Sequence, residues 1–177
     1  MNFCSHCGSD RLVFDIPIGD TRQRYICQNC GTIHYQNPKI IVGTVPIYED
    51  KILLCKRGIE PRKGLWNFPA GFMENGETMP EGAKRETWEE AGVQVEIERM
   101  YAACHVPHIN QVLLFFLAHL PKPEFSAGIE SEEVRLFTIE EIPWSEFAFP
   151  SHRFILEKYI ENPAFTGVHI STFEATR

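Results

Sequence analysis

Four of the six cysteines stand in two close pairs, Cys4 with Cys7 and Cys27 with Cys30, nineteen residues apart. The opening Met1-Asn2-Phe3-Cys4 lacks the basic and apolar regions of a secretory leader, so the expected location is the cytoplasm. Thiols stay reduced there, and a C-x2-C pair repeated at this distance favours zinc over disulfides. Each pair is followed by a glycine, Gly8 or Gly31, which lets the chain turn sharply enough for backbone N–H groups to approach the sulfurs. Four thiolates fill a tetrahedral Zn²⁺ and leave no open position, so the ion is expected to be structural. His6 is then a bystander. The competing reading is four reduced or redox-active cysteines.

Between the pairs, Arg11 to Ile26 reads as a hairpin turning at Gly19-Asp20. Up to residue 38 the ribbon carries three basic residues (Arg11, Arg22, Arg24) against three acidic ones (Asp10, Asp15, Asp20). That balance makes no nucleic-acid patch and leaves a scaffold or dimerisation role. The whole chain has 17 Lys and Arg against 24 Asp and Glu, a formal charge of −7. Such a chain is a poor partner for nucleic acid or an anionic membrane. No apolar run approaches the roughly 20 residues that span a bilayer. If the substrate is phosphorylated, metal cations are needed to offset its repulsion by the protein's carboxylates.

At 177 residues, 44% apolar and 23% charged, the chain has room for one ordinary domain besides the ribbon. Ribbon and domain are expected to divide as 1–36 and 37–177. Ile40–Tyr48 and Lys51–Arg57 read as strands joined at Glu49-Asp50, and Ser151–Ile160 as a final helix. Cys55, in the apolar run Ile52-Leu53-Leu54, is expected to be a small buried hydrophobe.

Gly71 to Val93 carries the most information. Thr78 with Glu81 forms a capping box, Pro80 is tolerated in the first turn, and Gly92 stops the chain, so a helix over Met79–Ala91 follows. On it Glu86, Glu89 and Glu90 share an arc of about 100°, the i, i+3, i+4 relation. Pro80, Ala83, Thr87 and Ala91 form the neighbouring stripe that packs on a sheet. Three like charges on one face are either solvated or hold a hard cation such as Mg²⁺ or Mn²⁺.

Gly71, five residues, Glu77, seven residues, Arg85-Glu86, two residues, Glu89-Glu90, one residue, Gly92-Val93: this resembles the signature of the Nudix hydrolases, with Trp66 and Pro69-Ala70-Gly71 matching the family's lead-in. Thr87 departs from it, replacing an aliphatic residue, and its hydroxyl can bond back to the carbonyl of Ala83. The resemblance implies an α/β/α sandwich around a mixed sheet, behind the zinc ribbon. It also implies Glu86, Glu90 and Glu89 as Mg²⁺ or Mn²⁺ ligands, completed by the carbonyl of Ala70. Arg85 and Glu77 would form the salt bridge that orients those carboxylates.

Further along, Glu133 resembles the place where related enzymes keep a general base. Arg57, Arg62 and Lys63 around Gly64-Leu65-Trp66 are candidate phosphate ligands, and Trp66 is a candidate stacking surface for which core packing is the stronger reading. The reaction implied is hydrolysis of a nucleoside diphosphate linked to another moiety, and the expected assembly is a homodimer. The stretch Ala102–Asn110 lacks the proline-aromatic segment of NADH pyrophosphatases. His34–Lys39, Leu53–Arg57, Gly64–Trp66 and Arg135–Phe137 resemble plant-type FAD and ADP-ribose pyrophosphatases, so FAD or ADP-ribose is the expected substrate. The alternatives are NADH, a non-catalytic nucleotide sensor and, disfavoured by charge, an RNA-cap protein.

Overall fold

The computed structural model describes residues 1–175. The chain folds as two compact units, Met1–Pro38 and the remainder from Lys39 onward.

In the first unit, β1 (Leu12–Asp15), β2 (Arg24–Cys27) and β3 (Ile33–His34) form an antiparallel sheet. The β1–β2 pair is the expected hairpin, registered Leu12 opposite Cys27. Both knuckle glycines adopt φ +74°. Their N–H groups donate back to the carbonyls of Cys4 (2.9 Å) and Cys27 (2.8 Å), so the two knuckles turn alike. The four sulfurs converge, all within 4.8 Å of one another. Cys4 Sγ lies 3.7 Å from Cys30 Sγ and Cys7 Sγ 3.6 Å from Cys27 Sγ. Zn–S bonds of about 2.3 Å put tetrahedral sulfurs about 3.8 Å apart, so the cluster has the dimensions of a Cys4 zinc site.

The second unit is built on an eight-stranded mixed sheet, whose main path runs β10-β5-β4-β9-β8-β11. Its strands are β4 (Lys39–Tyr48), β5 (Lys51–Arg57), β6 (Trp66–Asn67), β7 (Ala70–Phe72), β8 (Glu96–Val106), β9 (Gln111–His119), β10 (Ser131–Phe137) and β11 (His169–Thr172). β6 pairs with β5 and β7 with β4, while β4–β9 and β8–β11 are parallel. Helices α1 (Met79–Ala91) and α2 (Pro150–Glu161) cover opposite faces.

Alternation along β4 divides the core. Val42 faces α1 and packs with Ala83 and Phe116, whereas Val45 and Ile47 face α2 and pack with Phe68, Phe115, Ile155 and Leu156. A third cluster, of Leu53, Cys55, Ala91, Val93 and Val95, seals the C-terminal end of α1. Cys55 is fully buried there. No helix among the described residues is long and apolar enough to cross a membrane.

Candidate active site

The helix begins and ends where its sequence dictates. Thr78 and Glu81 exchange hydrogen bonds as a capping box, and Pro80 fills the first turn. Gly92, at φ +64°, closes the last turn by donating to the carbonyl of Trp88 at 2.8 Å.

With Ala83, Thr87 and Ala91 held on the sheet, Glu86 and Glu90 are carried into the protein at 9% and 7% exposure, while Glu89 stays exposed. Opposite them runs β7, registered on β4 with Gly71 against Val42 and Ala70 against Gly43. A Cβ at Gly71 would sit 2.2 Å from the Glu86 carboxylate, so any side chain there would have to displace that carboxylate.

Arg85 organises this end of the helix, and all five of its N–H groups are engaged. Nε and Nη2 grip Glu77 as a fork at 3.0 and 2.8 Å. Nη1 reaches Glu86 at 2.7 Å and Glu89 at 3.1 Å, and Nη2 also bonds the carbonyl of Phe72 at 3.0 Å. Glu77 in turn accepts the N–H of Glu74, which folds the loop. The Arg85 hydrogen bonds hold the Glu77 carboxyl down at about 2.

The opposite holds for the buried acids. Desolvation, then the charge of Glu86, pushes Glu90 up to about 8, with Glu130 adding to the rise and Arg57 opposing it. Glu86 is also raised, by burial first and then, against the pull of Arg85, by Glu89 and Glu130. Glu86 and Glu90, buried beside the side-chain-free position at Gly71, offer the hard oxygen donors a divalent cation takes, while among the described residues only the four cysteines already converge to ligand distances of one another. Glu86, Glu89, Glu90 and the carbonyl of Ala70 are the groups available to hold it.

Thr87 uses its hydroxyl as its sequence allows, donating to the carbonyl of Ala83 at 2.7 Å. It has a second partner that sequence reading missed: the hydroxyl of Thr44 on β4, 2.6 Å away and equally buried. With the Thr87 proton committed to Ala83, Thr44 donates to Thr87. Thr87→Val therefore strands a buried hydroxyl and is expected to cost roughly 1–3 kcal/mol, whereas Thr44→Val strands nothing and costs less. In urea denaturation the Thr44→Val/Thr87→Val double variant should recover most of that loss. A double variant as unstable as Thr87→Val alone contradicts the hydroxyl chain.

Other expected site residues are placed differently. Glu133 is exposed, and the strand pleat turns it with Arg135 and Phe137 toward the face covered by α2, while Val134 and Leu136 pack on the α1 side. The acid whose charge bears on Glu86 and Glu90 is Glu130, three residues earlier. Trp66 is 5% exposed and set edge-on against Phe137 at 4.9 Å, a core residue without a free face for stacking. The exposed aromatic nearest the glycine cradle is Phe72, with the Lys39 ammonium 4.9 Å from its ring centre.

Among the basic candidates, Arg57 is the one whose charge bears on Glu90; its guanidinium covers Phe149 at 5.2 Å, and Nε bonds the carbonyl of Pro61. Arg62 is exposed, and Lys63 pairs with Glu132 at 3.4 Å. His152, unremarked in the sequence, is buried on α2. Its Nδ1 accepts the N–H of Phe68 at 3.1 Å, two residues before Ala70, so it anchors the lead-in to the cradle. Burial, then the charge of Arg57, lowers its pKa to about 3, and the ring is neutral.

A mixed sheet between two helices, a glutamate helix facing a glycine cradle, and a separate four-thiolate ribbon define a Nudix-type α/β domain with an N-terminal zinc ribbon. Comparison with known proteins agrees. Residues 37–159 match the NUDIX domain and residues 2–36 the Nudix N-terminal zinc ribbon, so the chain belongs to the Nudix family. A NUDIX hydrolase from Nitrosomonas europaea, known from its crystal structure, is 50% identical with a TM-score of 0.94, over 99% of this chain and 100% of that one. The NAD-capped RNA hydrolase NudC of Chromobacterium violaceum is 32% identical over 148 residues, 80% of this chain and 51% of that protein. The ADP-ribose pyrophosphatase of Methanocaldococcus jannaschii is 30% identical over 130 residues, 71% of this chain and 75% of that protein. The chain thus spans about half the length of the NudC relatives it matches.

Proposed function

We propose that the chain is a divalent-cation-dependent pyrophosphohydrolase that cuts the diphosphate of FAD or ADP-ribose and releases AMP. The observation that carries this reading is the buried pair Glu86 and Glu90 opposite Gly71, under-compensated by cations and held by Arg85. Mg²⁺ or Mn²⁺ bound there supplies charge to clamp a diphosphate and to acidify an attacking water.

The protein's own residues do the rest. Arg85, locked by Glu77, holds Glu86 and Glu89 in place. Arg57 lies beside Glu90 as a fixed cation for a phosphate oxygen. Glu130, whose charge bears on Glu86 and Glu90, is a candidate beside Glu133 to take a proton from water at the acids. Phe72 and Lys39 offer a ring face and a charge to the flat part of a nucleotide, a role Trp66 is too buried to fill. ADP-ribose is favoured by the relative named for its hydrolysis, which this chain covers over most of its length.

A second reading, cleavage of a nicotinamide dinucleotide free or as an RNA cap, is favoured by the names of the NudC relatives. Against it stand the acidic chain and the stretch Ala102–Asn110, which ends β8 and turns at Pro107. A homodimer remains the proposed assembly, supported by the exposed apolar side chains Phe3, Phe14, Ile16 and Ile18 of the ribbon.

The test is AMP release from FAD, ADP-ribose, NADH and NAD-capped RNA with Mg²⁺ or Mn²⁺. FAD or ADP-ribose is expected to lead in kcat/KM. A lead for NADH or capped RNA would move the second reading to first place, and tight ADP-ribose binding without turnover would make the protein a sensor.

A further inference from the structure

The stretch Trp66-Asn67-Phe68-Pro69-Ala70 leads from β6 into β7, and its first four residues are buried. Buried peptide groups need partners, and here they come from several directions. From α2, His152 Nδ1 accepts the N–H of Phe68 at 3.1 Å, while Asn67 Nδ2 donates to the carbonyl of Phe68 at 2.8 Å. From β4, Thr44 N–H donates to the carbonyl of Pro69 at 3.2 Å, and Ala148 N–H donates to the carbonyl of Trp66 at 2.8 Å. Space is as tight as the bonding. A Cβ on Gly43 would lie 2.5 Å from the Ala70 Cβ and 2.6 Å from the carbonyl oxygen of Pro69.

His152 stands apart from the other partners as a side chain 84 positions away in sequence. It is 3% exposed, and its ring packs on those of Phe68, Phe115 and Phe149 at 5.9, 4.9 and 5.3 Å between centroids. A ring held on three sides cannot follow the lead-in if it drifts, so it sets where the Phe68 N–H must lie. Three residues on, the same stretch meets the acids: Gly71 is so near the Glu86 carboxylate that an added Cβ would be 2.2 Å from it.

We propose that His152 is a positioning residue: by fixing the Phe68 peptide, it seats the lead-in at the depth where Gly71 backs the Glu86 carboxylate. The inference rests on the reading of Glu86 and Glu90 as the cation site and extends the support of that site to the opposite layer of the fold. Arg85 orients Glu86 from its own helix; His152 holds the surface on which that carboxylate leans. The working atom is the Nδ1 lone pair, so the ring carries its proton on Nε2. Without that acceptor a buried N–H is stranded, and the lead-in can relieve it only by moving.

The test uses the zinc-loaded full chain and two substitutions that divide the roles of the ring. His152→Leu keeps most of the bulk and removes the acceptor. His152→Asn gives up the ring and brings an oxygen close to the place of Nδ1. Mn²⁺ affinity without substrate is read by electron paramagnetic resonance, protection of the Phe68 amide by hydrogen exchange, and stability by thermal melts. Both variants should melt below the parent. His152→Leu is expected to bind Mn²⁺ about tenfold more weakly and to lose Phe68 protection, while His152→Asn stays within a factor of about three of the parent in affinity. A role in packing alone predicts instead that affinity follows melting temperature in both variants, and that result overturns the proposal. Parent-like Mn²⁺ affinity in His152→Leu overturns it too. Should His152→Leu not fold, His152→Gln takes its place, its amide carried past the position of Nδ1. Affinity is expected to fall together with Phe68 protection, and affinity that stays at the parent's level overturns the proposal. Glu90→Gln is the control for the site itself. If it binds Mn²⁺ like the parent, the cation reading fails and the positioning role with it. Weak binding there beside parent-like binding in His152→Leu overturns the positioning role alone.

Discussion

Glu90→Gln is expected to lose turnover by more than about a hundredfold and yet to melt at a higher temperature than the parent when no divalent cation is present. The two effects have one cause. Burial and the neighbouring charge of Glu86 raise the Glu90 carboxyl from an ordinary 4.5 to about 8, so the fold resists its ionisation. An acid raised in the folded state contributes stability that is complete below about 4.5 and is lost as pH climbs through about 8. The metal-free parent should therefore lose stability across that window, and the glutamine variant, with nothing to ionise there, should lose less. The melting-temperature gap ought to be small near pH 4.5 and widest near pH 8. Saturating Mg²⁺ should reverse the order, because a ligand bound only by the folded parent stabilises it by mass action. Thermal melts across pH, with and without Mg²⁺, read all of this. A variant that melts below the parent at pH 8 without metal contradicts the crowding of the acids.

The second large effect concerns the ribbon. A 38-residue unit with three short strands has little core of its own; Cys4 and Cys27 are among its few buried residues. Chains below about 40 residues usually need a metal or disulfides to fold, and structural zinc supplies on the order of 10–16 kcal/mol in comparable peptides. Chelation, or Cys4→Ser, is expected to unfold residues 1–38. The α/β unit, with its own clusters on both sheet faces, should keep its melting transition. Limited proteolysis should then cut within the first 38 residues and spare the remainder, with one zinc per chain lost. A ribbon as resistant after zinc removal as before contradicts the metal assignment.

How far these features could be read from the chain depends on the range of the interactions that make them. Helix α1 was legible because its determinants are local: the Thr78–Glu81 box, Pro80 and Gly92 all lie within or next to the thirteen residues they define. The β4–β5 hairpin was legible for the same reason. Strand β11 was not, since its four residues pair in parallel with Ala102–His105, more than sixty positions earlier. Which acid near β10 serves as the proposed base was not legible either. The β10–β5 register is irregular between Ser131 and Glu133, so counting back from Phe137 does not fix how the acids before it are disposed. Trp66 is buried as the stronger reading, core packing, has it, whereas His152 was opaque because its burial depends on both α2 and the sheet, which no local pattern specifies.

The most direct test of the central claim is AMP release from ADP-ribose by the zinc-loaded protein as Mg²⁺ is titrated in, for the parent and Glu90→Gln side by side. Saturable, Mg²⁺-dependent release by the parent, and release lower by more than about a hundredfold in the variant at every Mg²⁺ concentration, is the predicted result. Release that persists in the variant, or in the parent without a divalent cation, would contradict the assignment of the buried glutamates as the cation site.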